Sequence, residues 1–105
     1  MSVSNLKIAA ISFSASGDNT VVTGVSGQVV KVFGLFFTVA GATNITFKDG
    51  ASNSLSGAVV LTGNGSAMTL QIGPEPYFVT ASGNNFVMNS SSAVQVSGTV
   101  YYTVG

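Results

Sequence analysis

The chain contains no cysteine, histidine, tryptophan or arginine. Without a thiol there is no disulfide framework, thiolate metal site or thiol redox chemistry. Without histidine as well, there is no Ser–His or Cys–His nucleophile pair and no ordinary zinc site. The missing arginine removes the bidentate clamp for phosphate or carboxylate. Charge of either sign is scarce: Lys7, Lys31 and Lys48 balance Asp18, Asp49 and Glu75, making 6% of the residues and a formal net charge of zero. Three scattered lysines do not make the basic stripe that phosphate binding requires, so nucleic acid is not an expected partner. A two-carboxylate hydrolase would have to draw on the same three acids, yet Asp18 in "SGDN" and Asp49 in "KDG" are accounted for by turn chemistry. Asp18, Asn19, Asp49 and Asn53 offer oxygen ligands for calcium, which usually wants several carboxylates together. No enzyme, cofactor or metal is expected.

Long hydrophobic runs are absent too. The greasiest stretch, Val29–Ala42, is interrupted by Lys31, Gly34 and Gly41. It falls short of the roughly twenty residues that a membrane-spanning helix needs. The N-terminal "MSVSNLKIAAISFS" follows its one lysine with only "IAAI", too short an apolar core for a secretory signal. A membrane is therefore not an expected partner either.

What the chain has instead is β-branched and aromatic residues punctuated by Gly, Ser and Asn. In "AVQVSGTVYYTVG", Val94, Val96, Gly98, Val100, Tyr102 and Val104 share one face while Gln95, Ser97, Thr99, Tyr101 and Thr103 share the other. This period-two alternation predicts a half-buried strand with Tyr102 inward and Tyr101 outward. Ile45 and Phe47 alternate with Asn44, Thr46 and Lys48 before an Asp49-Gly50 turn, and Met68, Leu70 and Ile72 alternate with Thr69 and Gln71. Strands are expected near 7–14, 19–25, 29–39, 44–49, 58–62, 67–72, 77–80, 85–89 and 94–104. The expectation is an all-β, single-domain fold over 1–105: an antiparallel, jelly-roll-like β-sandwich of eight or nine strands.

The segment "VVKVFGLFFTV" breaks the alternation. Lys31, Phe33, Leu35, Phe37 and Val39 fall on one face and Val30, Val32, Gly34, Phe36 and Thr38 on the other, so both faces are apolar. A strand of that kind should be covered on both sides, whereas a two-layer fold covers only one, so the other side needs a loop, a neighbouring protomer or a docking surface. Val32, Phe33, Leu35, Phe36 and Phe37 are therefore the candidate contact residues for another copy or a partner. Left bare, the strand would invite edge-to-edge pairing, with Lys31 and Lys48 as gatekeepers. Near-zero net charge also favours association. Among the aromatics, Tyr77 and Tyr101 are candidates for stacking a sugar, although strand aromatics more commonly serve packing.

The "SGDN" turn, the "ITFKDG" hairpin, the "LSGA" strand start and the closing "SSAVQVSGTVYY" strand carry a likeness. From about Ser14 to Val104 the chain resembles a group of small phage- and prophage-encoded proteins of similar length. The resemblance implies a virion structural protein made in the host cytoplasm and carried on the capsid surface. Similar small β-sandwiches serve as capsid decoration or cement proteins, often trimeric, on the major capsid protein. No functional residue comes with the likeness, since its motifs are turn and strand signatures. The alternative expectation is a carbohydrate-binding or host-attachment module on a virion appendage.

Overall fold

The computed structural model describes residues 5–105. Ten strands follow one another: β1 (Lys7–Phe13), β2 (Gly17–Val22), β3 (Val30–Val39), β4 (Thr43–Asp49), β5 (Asn53–Ser54), β6 (Val59–Leu61), β7 (Ala67–Leu70), β8 (Phe78–Val79), β9 (Phe86–Ser90) and β10 (Val96–Val104). They form two antiparallel sheets, packed face to face. Sheet A runs β1-β10-β3-β7, with β8 also on β3; sheet B runs β2-β9-β4-β5, with β6 also on β4.

The count of ten reduces to eight positions. β7 pairs with Leu35–Thr38 of β3 and β8 continues along the same edge at Lys31 and Val32, so the two are one interrupted strand. β5 and β6 share the free edge of β4 in the same way. With these merged, the sheets read 1-8-3-6 and 2-7-4-5, the jelly-roll order, closed by strands that repeatedly cross from one sheet to the other. The sandwich expected from the sequence is the fold observed. The nine expected strands are all present, and the addition is β5, two residues inside "DGASNS". Several boundaries differ: the chain bends at Ser16, but Gly17, Asp18 and Asn19 of "SGDN" already belong to β2, which ends at Val22; β10 begins at Val96; and Ile72 lies beyond the end of β7.

Between the sheets lies a single core. Ile11, Leu35, Phe37, Ile45, Phe47, Phe86, Met88, Val96 and Val100 are all buried there. Its centre is aromatic: Phe47 stacks on Phe78 at 4.8 Å and Phe86 at 6.0 Å, and meets Phe37 edge-on at 6.2 Å. These offset and T-shaped geometries suit the ring quadrupoles. The alternation that assigned Ile45 and Phe47 inward holds through β4, and Tyr102 packs against the core as its parity demands. At the end of β4 the Asp49-Gly50 pair does turn the chain, with Gly50 at φ +65°. Asp49 also reaches inward. Its carboxylate accepts from the Ala81 N–H at 3.1 Å and the Asn84 amide at 3.0 Å, tying the 81–84 loop to the strand end.

The two-faced strand is resolved by one extra residue. Along β10, Tyr101 pairs with Gly34 but Tyr102 pairs with Val32, leaving Phe33 as a β-bulge. The bulge shifts the phase of β3. Val30 and Val32 face the core before it, and Leu35, Phe37 and Val39 face the core after it. Alternation runs in two phases, so one face collects most of the apolar residues, and the 71–77 loop, bonded to the Phe33 and Val32 carbonyls, lies over the bulge on the other face. The expected edge hazard is corrected. β3 has β10 on one side and β7 and β8 on the other, which places it inside the sheet.

Candidate functional site

With the core filled, the two outer faces of the sandwich can be compared row by row. On sheet B, Asp18, Asn89 and Thr46 form one outward row, and Thr20, Val87 and Lys48 the next. The Lys48 ammonium lies 3.0 Å from Asp18 and also donates to the Ala51 carbonyl at 2.9 Å. The Asn89 amide donates to Asp18 at 2.7 Å. The Asn89 bond, followed by the one from Lys48, holds the Asp18 carboxyl below the usual carboxylate range. A third outward row pairs Asn44 with Val60, which is largely exposed at the β6 edge, so the face is polar at its centre and apolar at that margin; Lys48 is an ion-pair partner on it, not a guard for β3.

Sheet A differs. Its outward rows are Ile8–Tyr101–Gly34, Ala10–Thr99–Phe36–Thr69 and Ser12–Ser97–Thr38–Ala67, with Thr103–Lys31–Val79 at one end. Lys31 is the one charge among those rows. Ile8 is 67% exposed and Phe36 43%, both large for apolar side chains.

The bulge enlarges this apolar surface. Opposite Phe33 and Gly34, the edge strand leaves the ladder and loops out through 71–77 before resuming as β8. The loop stays tethered: Gly73 N–H donates to the Phe33 carbonyl at 3.3 Å and Tyr77 N–H to the Val32 carbonyl at 2.8 Å. The Tyr77 hydroxyl donates back to the Gln71 carbonyl at 2.6 Å, closing the loop on itself. Pro74 and Pro76 sit in this excursion, where their missing N–H groups interrupt no ladder. Ile72 is carried over Gly34, its Cγ1 standing 2.9 Å from where a Cβ on that glycine would be. Bare Gly34 therefore makes the room for Ile72.

Of the five contact residues expected from the sequence, Val32, Leu35 and Phe37 belong to the core and Phe33 is only 3% exposed. Phe36 is the one that reaches the surface. The residues that join it there, Ile8, Ile72 and Val79, were not singled out by sequence reasoning. Ile72 had been assigned inward with Met68 and Leu70, and only its departure from the strand exposes it. Tyr77 is exposed in the 71–77 loop just before β8, and Tyr101 is half-buried in the sheet A row between Ile8 and Gly34. Among the described residues no three His, Cys, Asp or Glu side chains converge on a point that could hold a metal. Nor is any helix among them long and apolar enough to cross a membrane. No protein-family model, curated protein or solved structure matches the chain.

Proposed function

We propose that the protein is a structural component of a phage virion, a decoration protein that docks on coat subunits through the outer face of sheet A. The observation that carries this reading is the contrast between the two outer faces. One carries an ion pair and its hydrogen bonds across its central rows, with Val60 its one large exposed apolar residue, at the β6 edge; the other presents Ile8, Phe36, Ile72 and Val79 with Lys31 the one charge in its rows. Exposed apolar surface of that kind marks a place where another molecule sits. The class of partner in this reading is taken from the likeness to small phage proteins, with which the jelly-roll order is compatible.

Such docking works by burial repeated over many copies. A standard interface takes about 800 Å² from each partner, a gross hydrophobic term of about 20 kcal/mol at about 25 cal/mol per Å². Lost translational and rotational freedom offsets most of that. The surplus per copy is modest, and its effect on a shell comes from the number of copies. Because the contact is nearly uncharged, its strength is insensitive to salt over the range that weakens charge-driven binding.

Sugar stacking on Tyr77 or Tyr101 has less behind it, since the Tyr77 hydroxyl is already spent on Gln71 and Tyr101 is half covered. The test is mass spectrometry of gradient-purified particles from the phage or prophage that encodes the chain. Peptides of this protein in stoichiometric amount are expected. Binding of the isolated protein to shells stripped of it should survive high salt and be lost in Phe36→Asp. Particles free of the protein would end this reading.

A further inference from the structure

Each sheet has two edges, and three of the four are guarded. The β7/β8 edge is broken by the 71–77 excursion with its two prolines. The β5/β6 edge is two short pieces of two and three residues. β2 carries the charged Asp18 and a register shift between Thr20 and Val22. Bulges, charges, prolines and shortness are the usual devices by which an edge is kept from pairing.

β1 has no bulge, no proline and no break along its length. Its seven residues, KIAAISF, pair with β10 in unbroken register from Lys7–Tyr102 to Phe13–Val96. Lys7, at one end, is its one charge, and of its side chains only Ile11 is buried. Among the described residues no loop or turn donates a backbone hydrogen bond to its second edge or accepts one from it.

We infer that β1 is an association edge, and that its occupant is β1 of a second copy, paired antiparallel about a two-fold axis through Ala10. The strand's length and the placing of its side chains suit this occupant. Centred on Ala10, all seven residues pair: Ala9 meets Ile11, Ile8 meets Ser12 and Lys7 meets Phe13 of the other copy. Every such pair joins residues of the same parity, so the core face of one sheet continues into the core face of the next. The smallest side chain on the outer row sits on the axis. The two lysines lie at opposite ends, each facing a phenylalanine, so no like charges are opposed. Zero net charge leaves no long-range repulsion to prevent the encounter. The result is a closed isologous dimer with one continuous sheet across it, in place of the trimer that the phage resemblance implies.

Because the chain has no cysteine, a single introduced thiol reports the contact cleanly. Ala10→Cys places two thiols directly opposite each other, and cross-strand Cα separations of about 4.5–5.5 Å lie within the range a disulfide spans. The wild-type protein is expected to scatter light as twice 10.5 kDa at micromolar concentration. Ala10→Cys should become a covalent dimer on oxidation with diamide, while Thr69→Cys, on the opposite edge of sheet A, should not. Ala10→Lys, which opposes two ammonium groups on the axis, should weaken the dimer at least tenfold while keeping the wild-type circular dichroism spectrum. If Ala10→Lys does not fold, the cysteine pair decides the matter alone. A wild-type monomer at about 100 μM, a trimer, or a dimer in which Ala10→Cys cross-links no better than Thr69→Cys would overturn the inference.

Discussion

Removing Phe33 and removing Phe36 should have opposite consequences to those that burial suggests. Phe33 is 3% exposed and Phe36 is 43% exposed, so contact loss alone makes Phe36 the cheaper deletion. Register makes it the costlier one. Phe33 is the unpaired residue of the bulge; without it Val32 and Gly34 become neighbours, still opposite Tyr102 and Tyr101, and every core residue of β3 keeps its face. The loss is the burial of one phenylalanine, about 1.5–3 kcal/mol, and the Gly73 hydrogen bond, about 1 kcal/mol. Removing Phe36 makes Leu35 and Phe37 adjacent, and two adjacent strand residues cannot both point inward. The least disruptive response absorbs the bulge, turning Leu35 out and Gly34 into its place in the core. That resembles a large-to-small core substitution of about 2–5 kcal/mol at the Leu35 site, with Phe33 expelled in addition. The sum approaches the whole stability of a small domain, about 5–15 kcal/mol. Urea unfolding followed by far-ultraviolet circular dichroism separates the two. At a slope of about 1–3 kcal/mol per M, a gap of more than about 2 kcal/mol moves the midpoint by about 1 M. A Phe36 deletion at least as stable as the Phe33 deletion would refute the two-phase reading of β3.

Gly98 pairs with Phe37 in the middle of sheet A, and a Cβ there would overlap the Phe36 carbonyl oxygen and stand 2.6 Å from the Phe37 Cα, both backbone atoms. Gly98→Ala should therefore cost about 3 kcal/mol or more in urea unfolding, while Gly63→Ala, with nothing near its Cβ position, should stay within about 0.5 kcal/mol of wild type. The depressed Asp18 carboxyl stabilises the fold at neutral pH, and that contribution is lost as pH falls from about 4 through its lower folded value. Lys48→Ala should thus be less stable than wild type by up to about 1 kcal/mol at pH 7, less at high salt, with the two converging in acid.

Most of the fold was legible because its elements obey period two. β4 and β10 alternate without interruption in the core residues they present, and the nine expected strands are all observed. Asp18 illustrates a limit: the chain does bend at Ser16, but Asn89 on adjacent β9 and Lys48 on β4 beyond it hold Asp18 itself in β2. Local preference yielded there to tertiary contact. β5 was missed because two residues carry no periodicity, and their pairing depends on Lys48 and Asp49 across the turn. The docking face was legible only through Phe36. Ile8 reads as half of an ordinary alternation, and its exposure follows from its outward place in the row with Tyr101 and Gly34.

The bulge at Phe33 is where the limit of sequence reading and the making of the surface coincide. A strand read as one phase has two apolar faces, and no count of residues shows where a phase change falls. Phe33 is an extra residue only relative to Tyr101 and Tyr102, more than sixty positions away. Once the change is placed there, the surrounding structure follows from it. The core receives both halves of β3, and the neighbouring edge strand leaves the ladder beside the bulge. Its excursion lays Ile72 over bare Gly34 and exposes Tyr77. One irregularity thus closes the core on the inside of sheet A and builds an apolar surface on its outside. The apolar residues of β3 that suggested a contact surface are mostly spent in the core. The surface arises instead from what the same strand forces its neighbour to do.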